Sequence, residues 1–133
     1  MTLVDSNVLF DVVTRTPDWW QWSLRQLDDA ALNGPVIVND VIYAEISTRY
    51  PSVDVVDSVL SDLGVDLVPM PRSALFLAGK VYLRYRAAGG VRTGVLSDFF
   101  IGAHAEVQGL PLLTRDVARY RSYFPKVELI APE

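Results

Sequence analysis

The chain has no cysteine and a single histidine, His104. Without thiols there is no disulfide, no thiolate zinc site and no cysteine nucleophile. With one imidazole, a two-histidine acid/base pair or a multi-histidine zinc site within one chain is excluded as well. No charge-free apolar run approaches the roughly 18 residues of a membrane span, and Asp5 interrupts the apolar start before a signal core can form. The expectation is a cytoplasmic protein with no membrane segment. Cations are also in short supply, 12 Lys and Arg against 16 Asp and Glu, for a net charge of −4. That balance argues against a protein that coats DNA by neutralising many phosphates, though not against an enzyme that holds one phosphodiester through a metal. Any catalysis must run on carboxylates, hydroxyls or bases of Lys and Tyr type.

What is present is an ordinary globular composition. Half of the 133 residues are apolar and 21% are charged, so residues 1–133 are expected to form one domain with a proper core. Short apolar runs alternate with longer segments of helical period. TLV precedes a helical stretch to about Asn33, and PVIV precedes helices from Asn39 to about Leu63. DLVPM is followed by a helix over roughly Ser73 to Ala88 and another from Ser97 to Val107; LPLL, a short helix near Val117 to Tyr123, and VELI complete the chain. This alternation predicts an α/β fold, a three-layer α/β/α sandwich with a mostly parallel central sheet. The glycine-rich AAGGVRTG (87–94) reads as a loop between two helices.

In such sheets ligands bind at the carboxyl ends of the strands, where the strand order reverses. LVD puts Asp5 at the end of the first strand, and LPLLTRD puts Thr114 and Asp116 just past a later one. Glu45 lies about two turns into the helix after PVIV, on one face with Val41 and Ile42. Asp98 opens a helix, SDFFIGAHAEV, that is apolar nearly all round and carries Gly102, Ala103 and Ala105 for close packing. Each acid alone has a bland reading as a helix cap, a turn residue or one half of a surface pair. Together they would have to gather at one end of one sheet by accident. Two carboxylates ~5 Å apart repel by about 3 kcal/mol at an effective dielectric of 20, a cost that a fold sustains when a cation or shared protons offset it. Hard oxygen ligands with no sulfur point to Mg²⁺ or Mn²⁺, and such ions bind phosphate oxygens.

These residues resemble the PIN-domain ribonucleases, and within them the VapC toxins of bacterial toxin–antitoxin pairs. The pieces that carry the resemblance are VDSNVLFD at the start, YAEI at 43–46, SDFFIGAHAEVQGLPLLTRD at 97–116 and the closing YFPKVELIAP. The resemblance implies a PIN-like nuclease domain that hydrolyses RNA with Mg²⁺ or Mn²⁺ held by Asp5, Glu45, Asp98 and Asp116. It implies that Asn7 and Thr114 orient those carboxylates, that a cognate antitoxin blocks the site, and that the protein is a homodimer. Ser6 stands where the family usually has Thr, which keeps a hydroxyl. RNA must also reach this acidic floor. Lys80 and Arg84, at i, i+4 on one helix, with Arg86 and Arg92 near the glycine-rich loop, are candidates for a guiding rim.

Two further features bear on partners. In PDWWQWSLRQL the apolar spacing makes Trp20, Leu24, Leu27 and Ala31 the core stripe, leaving Trp19 and Trp22 for a partner groove or a neighbouring helix. His104, nearly two turns after Asp98, reads as a packed residue. Among other functions, a receiver-like phosphoacceptor domain would need an Asp ending the third strand, which reads DLVPMP. A dehalogenase-type phosphatase would need Asp where Asn7 stands. A PIN-fold module that binds RNA or protein with little catalysis is the remaining alternative.

Overall fold

The computed structural model describes residues 1–91 and 96–133. Arg92 and the end of the 87–94 segment lie outside the described residues. Five strands form the sheet: β1 (Thr2–Val4), β2 (Val36–Val38), β3 (Val65–Leu67), β4 (Leu112–Leu113) and β5 (Leu129–Ile130). Their order is β3-β2-β1-β4-β5, and every pairing is parallel. Leu3 of β1 stands in register with Ile37 on one side and Leu112 on the other. All residues of β1, β2 and β4 are buried, as a parallel sheet covered by helices on both faces requires. The chain runs outward from β1 through β2 to β3, then returns to lay β4 on the other side of β1. The carboxyl ends of β1 and β4 therefore flank the switch point, where side chains of two diverging connections can meet.

The segment expected to be helical up to Asn33 is two helices, α1 (Ser6–Thr14) and α2 (Trp20–Leu32). Between them Arg15 and Asp18 take left-handed conformations (φ 52° and 71°) around Pro17, a geometry no helix continues. The expected stripe of α2 is also corrected. Its buried residues are Ser23, Leu27 and Ala30, with Trp22 packed on the core, whereas Ala31 is exposed and Trp20 and Leu24 line an outer hollow of about 500 Å³. The reason is polar. Ser23 Oγ donates to Asp11 Oδ2 at 2.7 Å, so a hydroxyl occupies the inward face that an apolar count assigns to Leu24.

After β2 come α3 (Asp40–Ser47) and α4 (Val53–Asp62); after β3 come α5 (Arg72–Ala87) and α6 (Leu96–Gln108); α7 (Ala118–Tyr123) joins β4 to β5. The small residues of α6 act as expected: a Cβ on Gly102 would sit 2.3 Å from the Phe124 ring, so only glycine lets the end of α7 approach this closely. Around Phe99, the rings of Tyr82, Tyr85, Tyr123 and Phe124 lie 5.2–6.1 Å away by centroid. This cluster binds α5, α6 and α7 into one unit, which fixes Asp98 beside the residues of α7. His104 is fully buried, with Asn39 Nδ2 3.0 Å from Nδ1 and Gln108 Oε1 2.8 Å from Nε2. Because Asn39 Oδ1 also accepts from the N–H of Ile42, His104 ties α6 to the start of α3, away from the acids. Burial lowers its pKa, which favours the neutral ring this pairing needs.

Candidate metal centre

Asp5 is the last residue before α1, and its two oxygens do different work. Oδ1 accepts the N–H of Ser6 at 2.8 Å, so the turn-and-cap role is real. Oδ2 points along the switch point, where it accepts from Thr114 Oγ1 at 2.9 Å and from the Tyr120 hydroxyl at 3.1 Å. Asn7, the second residue of α1, bridges the two strand ends: its Nδ2 lies 3.5 Å from Asp5 Oδ2 and 3.3 Å from Thr114 Oγ1, and its Oδ1 accepts the N–H of Arg115 at 3.2 Å. Asn7 and Thr114 thus hold the Asp5 carboxylate in one orientation.

Glu45 reaches the same place from α3, where Ser6 Oγ donates to its Oε1 at 3.2 Å. Asp98 arrives from the first turn of α6, and its Oδ1 stands 3.4 Å from the same Tyr120 hydroxyl that serves Asp5. One phenolic proton lies between two carboxylates. Asp116 is exposed, and its charge is felt by Asp98. The fold thus brings Asp5, Glu45 and Asp98 together, with Asp116 at the rim.

Their electrostatics show what that costs. Burial, countered by the Thr114 hydrogen bond and reinforced by the charge of Asp98, pushes the pKa of Asp5 up to about 6. Burial and then the charge of Asp5 push Glu45 up to about 7. Burial raises Asp98 too, against the pull of Arg119. The Tyr120 hydroxyl, buried beside all three charges, is pushed well above its ordinary value and stays a donor. These are carboxylates whose ionisation is opposed by burial and by one another, the condition that a bound cation relieves.

Sequence reasoning missed two residues at the centre, Tyr120 and Arg119. Arg119 Nη1 donates to Asp98 Oδ2 at 2.6 Å, placing a guanidinium on the acid from the start of α7. No spacing in the sequence signals them, because Asp116 lies in the loop before α7 and the positions of Arg119 and Tyr120 follow from how that short helix packs on α6. The rim candidates stand elsewhere. Lys80, Arg84 and Arg86 project from the exposed side of α5; Lys80 lies 5.2 Å over the Phe76 ring and Arg86 donates to the carbonyl of Gly90. The cavity of about 610 Å³ lined by Gln26, Asp29, Asn33 and Glu128 opens at the amino ends of the strands, the opposite end from the acids.

A ring of hard oxygen donors whose charging is disfavoured fits a divalent cation of the Mg²⁺ or Mn²⁺ type. Among the described residues no three carboxylate or imidazole groups converge as they stand on one ion. Arg119 on Asp98 and the Tyr120 hydroxyl between Asp5 and Asp98 stand among these oxygens; Arg119, partly in solvent, can swing away, whereas Tyr120 is fully buried.

With its parallel sheet ordered 3-2-1-4-5 and acids at the switch point, this is an α/β domain of the doubly covered type, and the chain belongs to the PIN domain family, whose model matches residues 2–124. Its fold is similar to that of solved toxin–antitoxin proteins. One is VapBC2 from Rickettsia felis bound to a DNA fragment from its promoter, at 16% identity, with 99% of this chain and 98% of that one covered and a TM-score of 0.72. DNA-bound VapBC from Salmonella typhimurium follows at 14% identity, 98% of each chain and 0.70. VapBC-5 from Mycobacterium tuberculosis, described as a member of the VapBC family of toxin–antitoxin systems, matches at 20% identity, 98% of each chain and 0.60. No curated protein matches the chain in sequence.

Proposed function

We propose that the chain is a metal-dependent endoribonuclease acting as the toxin of a toxin–antitoxin pair, a single PIN-type nuclease domain over residues 1–133. The observation that carries this reading is the meeting of Asp5, Glu45 and Asp98 at the switch point, with ionisation opposed at each. Asp5, Glu45 and Asp98, with Asp116 at the edge, would hold Mg²⁺ or Mn²⁺, which supplies Lewis-acid shielding of a phosphodiester and a water easier to deprotonate.

The protein's own residues do the rest. Thr114 and Asn7 fix the Asp5 carboxylate, and the Tyr120 hydroxyl holds Asp5 and Asp98 at a set separation. Without metal, Asp5 and Glu45 are pushed up to about 6 and about 7, so binding of the cation releases protons from them near neutral pH. Lys80, Arg84 and Arg86 on the exposed side of α5 would raise the local concentration of RNA at long range, with Arg92 a further candidate from the sequence. The similar folds include toxin–antitoxin complexes, which supports a cognate antitoxin partner here. We assign the protein to the cytoplasm as a homodimer; no described helix is long and apolar enough to cross a membrane.

The test is cleavage of a labelled RNA by the purified chain with Mn²⁺, with Mg²⁺ and with a chelator. Wild type is expected to cut only with metal, and Glu45→Gln to fall at least about a hundredfold, the loss of about 2.7 kcal/mol of transition-state stabilisation. Cleavage that survives both the chelator and Glu45→Gln would overturn the reading.

A further inference from the structure

The structure makes two arginine–carboxylate pairs among its described residues, and they are built differently. Arg115 spends two nitrogens on Asp11 and stacks 4.9 Å over Trp19, so it is committed. Arg119 touches Asp98 through Nη1 alone, keeps 29% of its side chain in solvent, and makes no other hydrogen bond among the described residues. Its guanidinium is the described cation in contact with the carboxylate cluster. Oδ2 of Asp98 is held by that guanidinium, so a divalent ion arriving on the same carboxylate meets a like charge a few ångströms away. The two cations compete for one carboxylate.

We propose that Arg119 is a further catalytic residue of this site: an internal counter-ion of Asp98 that a divalent ion displaces, and that then binds the phosphate of the RNA. This rests on the nuclease reading above. The chemistry suits the exchange. A guanidinium has five donors in a planar fork that matches a phosphate with two parallel bonds, whereas on Asp98 it uses one nitrogen. Arg119 stands next to Tyr120 on α7, whose ring cluster with α6 is rigid, so the released side chain stays at the mouth of the crevice. Since the carboxylate prefers the divalent ion and the arginine prefers the phosphate, metal and RNA each favour binding of the other. In the absence of metal the same contact keeps Asp98 neutralised.

The experiment is Mn²⁺ titration of the full chain by calorimetry, without RNA, for wild type, Arg119→Gln and Arg119→Lys, followed by single-turnover cleavage of one RNA oligonucleotide. Folding of each variant is checked by its thermal melt. Arg119→Gln is expected to bind Mn²⁺ about tenfold more tightly, because loss of a charge-assisted hydrogen bond removes the competitor. It is also expected to cleave at least about tenfold more slowly at saturating Mn²⁺, with Arg119→Lys between it and wild type in both readouts. Tighter metal binding with slower cleavage is a split that a merely structural role does not give. If Arg119→Gln binds Mn²⁺ no more tightly than wild type, or cleaves as fast, the proposal is overturned while a metal-dependent wild type leaves the nuclease reading standing. A wild type that neither binds Mn²⁺ nor cleaves RNA overturns the nuclease reading itself.

Discussion

Arg115 and Arg119 are four residues apart, each contacts an aspartate at 2.6 Å, and the two pairs serve opposite ends. Asp11 is 1% exposed and takes two bonds from Arg115 and a third from Ser23, with all its acceptor capacity turned inward. That pair joins α1, α2 and the loop after β4, and the N–H of Arg115 also binds Asn7, so the loop carrying Thr114 and Asp116 is clamped to the first strand's end. Asp98 instead faces Arg119 at the edge of a group of carboxylates that repel it. The first pair is satisfied by the protein alone. Among the described residues the second leaves Asp5 and Glu45 with no cation, and a site of that kind is completed from outside.

The comparison breaks most visibly in stability. Asp11→Ala removes a carboxylate that is 1% exposed and leaves the Arg115 guanidinium and the buried Ser23 hydroxyl without their partner, and is expected to lower unfolding free energy by about 3–5 kcal/mol. Arg119→Gln, at a contact open to solvent, should cost about 1 kcal/mol or less. Chemical denaturation of the two variants measures both; equal losses would mean that the two pairs are alike and that Arg119 is structural.

A smaller effect sharpens the electrostatic half. Tyr120→Phe removes a donor to two charged oxygens and is expected to cost about 2 kcal/mol at pH 8. At pH 5, below the value of about 6 for Asp5, that acid is largely protonated in the fold, and the cost should shrink. Melts at the two pH values check this, and a pH-independent loss would assign Tyr120 to packing only.

The metal-free protein has its own pH dependence, and its sign is set by the direction of the shifts. Asp5 holds its proton in the fold up to about 6 but loses it near 3.8 when unfolded. The folded state therefore binds more protons through that window, and stability falls as pH rises across it, by about 3 kcal/mol for this one group. Glu45 extends the same trend up to about 7. A metal-free stability that rises from pH 4 to pH 7 would contradict the crowding of these acids.

Much of this was legible in the chain. The central strands β1, β2 and β4 coincide with the apolar runs TLV, PVIV and LPLL, because a doubly covered strand has no alternative to continuous burial, whereas the edge strand β3 is Val65–Leu67 with Asp66 and Leu67 exposed, earlier than the DLVPM run suggested. The acids at the ends of β1 and β4 followed from the same logic, since a strand end is fixed in space by the sheet. What escaped was whatever depends on helix rotation. The inward face of α2 is set by Ser23 reaching Asp11, a polar contact between residues 12 apart that apolar periodicity does not register. Nothing in the sequence singles out Tyr120 within the short last helix, and only the packing of α7 on α6 turns its hydroxyl to Asp5, 115 residues away. Arg115 and Arg119 were indistinguishable in the string TRDVARY, and their difference lies entirely in what stands opposite each.

The central claim, that these acids are crowded for the sake of a divalent cation, is tested most directly by Glu45→Gln melted beside wild type at pH 8, without metal and with saturating Mn²⁺. Gln keeps an oxygen for the Ser6 hydroxyl and removes a charge whose pKa the fold raises to about 7. Without metal the variant should therefore melt above wild type, an advantage that disappears at pH 5 where Glu45 is already protonated. With Mn²⁺ the order should reverse, because wild type gains RT ln(1 + [L]/Kd) and the variant, short of a ligand, gains far less. The same order with and without Mn²⁺ would contradict the account.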